Sequence, residues 1–256
     1  MRLSTSVNFL FGEQPFLERF TAAKAAGFEG AEIQILEAGP DDVAVAAQKA
    51  GIEIALLNAD MGDLLMGGPG MSGVPGREDE FASAIKTAID AAKTMKAAHI
   101  HIGPSRIPDG ETRERCTDCL VSNLMALSPL ADQAGITLLV EPINTLDMPD
   151  ALMVSVDETA RVLADRLEGR VKLQFDVYHV ARNGEDPVAQ FNAHGEIVAH
   201  VQFSDAPGRG APGTGDIDFD AVFAALDKAA YSGWVGAEYL PSAGTQASLD
   251  WMAKYG

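Results

Sequence analysis

The chain has 256 residues, 47% of them hydrophobic, with two cysteines and no apolar run near the ~20 residues that a membrane span requires. Its 19 basic and 37 acidic residues leave a net charge of −18, which repels nucleic-acid phosphates and anionic membrane surfaces and argues against both as partners. The start Met1-Arg2-Leu3-Ser4 lacks a secretory apolar stretch, so the expectation is a soluble, cytoplasmic protein.

An apolar strand over Leu3 to Val7 precedes a helix over Pro15 to Ala26 that closes on Gly27. Strand two, Gly30 to Gln34, is followed by a helix over Pro40 to Ala50 that again ends on glycine, Gly51. Strand three, Ile52 to Leu57, runs into a glycine-rich stretch from Met61 to Gly76, and helix three covers Arg77 to Ala97. Strand four is His99 to Ile102. The long fourth helix, Glu111 to Ala134, contains Cys116-x-x-Cys119 with no second Cys or His pair nearby, so this pair reads as structural.

Strand five is Thr137 to Val140, and helix five runs from Val156 to Leu167 behind Ser155 as N-cap. Strand six ends at Asp176, helix six covers Pro187 to His194, and strand seven runs from Ile197 to Phe203. Helix seven, Phe219 to Ala230, precedes strand eight at Trp234 to Ala237, and Thr245 to Tyr255 is expected as an eighth helix. Eight strand–helix units without a composition break predict one α/β domain over 1–256, a closed (β/α)₈ barrel. The long stretches 61–76, 144–155 and 205–218 all follow strands, which in a barrel stand at the catalytic mouth, where long loops often act as lids.

Four strand ends carry oxygen ligands: Glu141, Asp176, Gln202 and Glu238. In a parallel barrel these converge on one mouth, and their chemistry suits Mg²⁺ or Mn²⁺ better than zinc, since no Cys or His joins them. Such a cation, acting on two adjacent oxygens of an α-hydroxycarbonyl compound, stabilises an enediolate while two carboxylates exchange a proton. Glu141 and Glu238 are the expected acid–base pair, each also touching the metal. His101 is expected to line the interior, with His99 a weaker candidate. His200 lies one layer below Gln202, and His194 is on a surface helix. Arg77 and Arg209 are the candidate clamps for a substrate carboxylate, which the net charge would otherwise repel. Pro212-Gly213-Thr214-Gly215 has no following Lys, so it reads as a tight turn rather than a phosphate loop.

The segments Glu141-Pro142-Ile143-Asn144-Thr145, Gln174-Phe175-Asp176-Val177-Tyr178-His179, His200-Val201-Gln202, Pro212-Gly213-Thr214-Gly215-Asp216-Ile217 and Gly233-Trp234-Val235-Gly236-Ala237-Glu238-Tyr239 resemble the hydroxypyruvate isomerase family of xylose isomerase-like TIM barrels. Asn8-Phe9-Leu10-Phe11, Leu57-Asn58-Ala59 and Pro75-Gly76-Arg77-Glu78 extend the resemblance into the first half. It implies Glu141 and Glu238 as the proton-exchanging pair and Glu141, Asp176, Gln202 and Glu238 as ligands. It also implies substrate contacts from His179 and Asn58, and relatives that often self-associate. The small-molecule substrate would be hydroxypyruvate, a four-carbon 2-oxo acid or a ketose. An amide at Gln202, where ketose epimerases carry histidine, favours the hydroxypyruvate isomerase branch.

The chain departs from the family pattern at Leu146, where Arg is usual, at Asp150, where Gly is usual, and at Gly210-Ala211, where His-Glu is usual, so the grip on substrate differs. Two other classes are disfavoured. A metal-dependent DNA phosphodiesterase would want more histidines and a basic groove, and a silent sugar-binding barrel has no need of both Glu141 and Glu238.

Overall fold

The computed structural model describes residues 1–255. Its strands are β1 (Arg2–Ser6), β2 (Gly30–Ile33), β3 (Glu53–Asn58), β4 (His99–His101), β5 (Thr137–Val140), β6 (Val171–Asp176), β7 (Val198–Phe203) and β8 (Trp234–Ala237). All pair in parallel in sequence order, and β1 closes on β8 with Arg2 opposite Trp234 and Thr5 opposite Ala237. The helices are α1 (Phe16–Ala25), α2 (Pro40–Ala50), α3 (Glu78–Met95), α4 (Arg113–Gln133), α5 (Val156–Leu167), α6 (Val177–Arg182), α7 (Pro187–His194), α8 (Phe219–Lys228) and α9 (Met252–Tyr255).

Side-chain alternation sorts the strands into two layers. Leu173, Phe175, Val201 and Phe203 are fully buried and face the helices, whereas Gln174, Asp176, His200 and Gln202 on the same strands are equally buried but project inside the barrel. This interior is polar, which places chemistry rather than a hydrocarbon plug at the centre. Two irregularities of register aim it: the β2–β3 ladder slips between Ala31 and Glu32, and the β6–β7 ladder slips between Leu173 and Gln174. Bulges of this kind re-aim a side chain beside a functional site.

Two elements differ from the sequence reading. Helix α6 follows β6 without a loop, because the Asp176 carboxylate accepts from Tyr178 N at 2.9 Å and caps the turn it begins. At six residues it is too short to show periodicity. The expected helix over Thr245 to Tyr255 is instead a 3₁₀ turn at Gln246–Ser248 followed by α9. Thr245 is tied to Glu13 and Phe11, and the Trp251 indole donates to Tyr239, so the tail folds inward against the barrel. The remaining boundaries shift by a residue or two, and no helix among the described residues is long and apolar enough to cross a membrane.

Phe203 anchors the packing between β7, α8 and the tail, with its ring 5.9 Å from Phe219, 5.5 Å from Phe223 and 5.2 Å from Trp251. Phe203→Ala should therefore cost about 3–5 kcal/mol. Urea unfolding would read this directly, and a loss below ~1 kcal/mol would show that the tail is not held through this ring.

Candidate active site at the barrel mouth

Glu141 follows β5, Asp176 ends β6, Gln202 lies one residue from the end of β7, and Glu238 follows β8. Asp176 pairs with Gln202 across the β6–β7 ladder, and Glu238 N donates to Phe203 O at 3.1 Å, so the four sit at one level of the mouth. All are buried, with relative exposures of 7%, 1%, 1% and 6% in the order given. The closed barrel thus gathers the four oxygen-bearing strand ends that the sequence singled out.

Burial sets their electrostatics. Desolvation, with the charges of Asp176 and Glu238 alongside, pushes the Glu141 carboxyl well above the usual carboxylate range. Desolvation also raises Asp176 to about 6 and Glu238 to about 7, against the opposing pull of Arg209. Glu141 Oε1 and Asp176 Oδ2 are buried without a hydrogen-bond partner. Buried anionic oxygens aimed at one another, with orphaned lone pairs, fit a hard divalent cation. Glu141, Asp176 and His179 each offer an atom within 4.8 Å of the others, so a histidine borders the two carboxylates.

His179 Nδ1 faces the Asn144 side-chain nitrogen at 2.7 Å and Asn144 N at 3.3 Å. With Nδ1 accepting, the proton resides on Nε2, 3.7 Å from Asp176 Oδ2. Asn144 is held in turn by Asp147, which also accepts from the Tyr178 hydroxyl. His101 Nε2 lies 3.4 Å from Glu141 Oε2. Burial lowers both imidazoles to about 3, so they are neutral and neither contact is an ion pair. Asn58 pairs with His101 across β3–β4 and carries an unpartnered buried Oδ1, placing it on the same ring of strand ends.

The two candidate arginines part company. Arg209 enters the site: its guanidinium bonds the Glu238 carboxylate, lies 3.7 Å from Asp176 Oδ2 and stacks 4.9 Å from the Tyr178 ring centre. Burial opposes its charge, but Glu238, Asp176 and Glu141 together outweigh that and raise its pKa. Arg77 does not enter. Its donors are committed to Asp63, Glu80 and the Gly70 carbonyl, so the expected substrate clamp is instead a staple of the 61–76 stretch. Ser72 against Ser105 at 2.5 Å and Asn123 on Ser72 O at 3.0 Å pin the same stretch to α4 and the strand-four loop, which argues against its expected role as a free lid.

Several residues here were not singled out in sequence. Asp205, fully buried after β7, accepts from Gly213 N at 2.9 Å, Gly215 N at 2.8 Å and Ile217 N at 3.1 Å. The Pro212-Gly213-Thr214-Gly215 segment is thus a cradle for the chain's own carboxylate, and a Cβ at Gly215 would meet Ala206 O at 2.0 Å. This cradle holds Arg209 in the left-handed region, at φ 52°, over the site. Beneath the mouth, Gln174 donates to Gln202 Oε1, and Glu32 is wholly enclosed. The substitutions relative to the family pattern lie around this rim: Leu146 is an exposed apolar side chain, Gly210 pairs with Asp205 through backbone, and Ala211 is buried.

The raised carboxylates have a thermodynamic consequence with a definite sign. Their folded pKa values exceed the unfolded ones, so the contribution is fully present below about pH 4 and is lost as pH rises through about 6 for Asp176 and about 7 for Glu238. For Asp176 alone the loss is on the order of 3 kcal/mol. Melting curves of metal-stripped protein should show Tm declining from about pH 5 to about pH 8, with Mn²⁺ restoring it at the upper end; a level or climbing Tm would contradict this electrostatic picture.

Residues 20–255 match the family model described as a xylose isomerase-like TIM barrel. The hydroxypyruvate isomerase of Escherichia coli (strain K12) is 32% identical over 256 residues, covering 100% of this chain and 99% of that protein. The 2-oxo-tetronate isomerase of Cupriavidus necator is also 32% identical, covering 99% and 98%. A crystal structure from Brucella melitensis, titled AP endonuclease, family 2, superposes with a TM-score of 0.94 at 31% identity, covering 100% and 99%. An E. coli 3-keto-D-glucoside 4-epimerase, at TM-score 0.84 and 21% identity over 99% and 98%, shares the fold. With the mouth geometry, the polar barrel interior and a family match over nearly its whole length, the chain belongs to the xylose isomerase-like TIM barrel family.

Proposed function

We propose that this chain is a divalent-cation-dependent isomerase that interconverts hydroxypyruvate and 2-hydroxy-3-oxopropanoate. The observation that carries the reading is the convergence of three buried carboxylates with raised pKa values, Glu141, Asp176 and Glu238, on one side of the barrel mouth, the first two each with an oxygen left unpartnered. Full-length similarity to proteins named hydroxypyruvate isomerase supports the substrate class.

Glu141, Asp176, Gln202 and Glu238 are the residues that would hold Mg²⁺ or Mn²⁺, and two of them, Glu141 and Asp176, lie with His179 within 4.8 Å of one another. The cation when bound supplies Lewis acidity to an enediolate. The chain's own groups do the rest. One of the pair Glu141 and Glu238 takes a proton from the hydroxymethyl carbon, and the other returns one to the former carbonyl carbon. The hydroxyl proton passes between the two substrate oxygens, so the product is an isomer and no redox partner is consumed. Burial suits this exchange: Glu238, raised to about 7, can both accept and give a proton near pH 7, and Glu141 is raised in the same direction by desolvation and by the charges of Asp176 and Glu238. His101, neutral and beside Glu141, and His179, with its Nε2 proton facing the site, are placed to donate to substrate oxygens. Arg209 is the cation for the substrate carboxylate in a protein of net charge −18. Asn58 completes the ring on the β3 side.

A second reading, isomerisation of a four-carbon 2-oxo-tetronate by the same relay, is favoured by the equal similarity to proteins of that name and by the small Gly210 and Ala211 on the rim. Incubating metal-loaded protein in D₂O with each acid and following carbon-bound deuterium by NMR separates the two. Glu141→Gln and Glu238→Gln should each lower turnover by about 10²–10⁴-fold with unchanged circular dichroism. Normal exchange in both variants would sink the relay, and exchange with free ketoses alone would move the chain to epimerisation.

A further inference from the structure

We infer that Glu32 is a positioning residue that decides which end of the Gln202 amide faces the cation site. The inference rests on the proposed role of Gln202 as a ligand and deepens it. Glu32 lies on β2, on the far side of the barrel from β6 and β7 in strand order, and its side chain is fully buried. Its carboxylate accepts from the Ser4 hydroxyl at 2.6 Å, faces His200 Nε2 at 2.9 Å and accepts from Gln202 Nε2 at 2.7 Å. The barrel has made room for it. A Cβ at Gly236 would lie 1.6 Å from Glu32 Oε1, so only a glycine at that point of β8 admits the carboxylate.

A side-chain amide presents a donor at one end and an acceptor at the other, and only its neighbours decide which end points where. Here Gln202 Nε2 donates to Glu32 Oε2 and, at 3.2 Å, to Glu238 Oε1. Its Oε1 accepts from Gln174 Nε2 at 2.7 Å. The flipped amide would press its carbonyl oxygen against the Glu32 carboxylate, two acceptors without a proton between them, and its NH₂ against that of Gln174. Glu32 therefore locks the amide at its nitrogen end and Gln174 at its oxygen end. One Oε1 lone pair is taken by Gln174 and the other is left for a cation. The register slips at Ala31/Glu32 and Leu173/Gln174 fall at both locking residues, so the backbone is irregular where this network needs its side chains aimed.

Glu32→Gln keeps the shape of the side chain and replaces the acceptor-only carboxylate with an amide that tolerates either orientation of Gln202. Mn²⁺ binding to metal-stripped protein, measured by calorimetry, should weaken by about 10–100-fold, with Tm and circular dichroism close to the parent. Gly236→Ala, which displaces the carboxylate without removing it, should weaken Mn²⁺ binding in the same direction. In a Gln202→Ala background the effect of Glu32→Gln should vanish, because Glu32 acts through that amide. Mn²⁺ affinity within twofold of the parent in folded Glu32→Gln, or an undiminished effect in the Gln202→Ala background, would overturn the inference while leaving the ligand set standing. A parent protein that does not bind Mn²⁺ would overturn both.

Discussion

Three carboxylates are taken out of water at the mouth of a closed barrel, and much of the surrounding structure answers the cost of doing so. Glu141, Asp176 and Glu238 are each at most 7% exposed and repel one another. An anion cluster in a low-dielectric interior is tolerable only when protonated, paired with a cation or hydrogen-bonded by donors. All three devices are present: pKa values raised toward neutrality, the Arg209 guanidinium, and donors from Tyr178 N and Gln202 Nε2. The same arrangement that is costly for the fold is what the proposed cation binding and proton exchange would use.

A second buried anion lies beneath the first three and differs in kind. Glu32 is as deeply enclosed as Asp176, yet burial is outweighed by His200, Ser4 and Gln202, and its carboxyl is held below the usual carboxylate range. Where Glu141 and Asp176 each leave an oxygen without a partner, Glu32 is fully engaged. The first pattern leaves oxygen lone pairs open and the second commits them to neighbours. Asp205 repeats the second pattern in the loop above, where backbone amides saturate it and the loop that presents Arg209 takes its shape from that contact.

The strand-end carboxylates were legible in sequence because each follows an apolar run, and a parallel barrel brings consecutive strand ends to one face. The histidines were legible by the same counting: His101 and His200 fall on inward positions, and both are inward here. Arg77 was misread as a clamp because a cation beside a glycine-rich loop looks free until its partners, Asp63, Glu80 and the Gly70 carbonyl, are brought to it by the fold of that loop. Glu32 was missed for a comparable reason. In Gly30-Ala31-Glu32-Ile33-Gln34 an acidic residue alternating with apolar ones reads as the solvent face of a strand, and only barrel closure turns that face inward.

The barrel, its strand order and the acidic character of the mouth were readable along the chain, because period-two alternation, glycine stops and residues just past apolar runs are local signals that short-range physics must obey. Tertiary structure alone decided which polar groups are orphaned and which are satisfied. It assigned Arg209 to the site and Arg77 to a staple, folded Gly213 and Gly215 around Asp205 instead of around a phosphate, and set Glu32 under Gln202 across 170 residues of chain. Hydrogen-bond satisfaction and desolvation depend on neighbours remote in sequence, so they exist only once the barrel has closed.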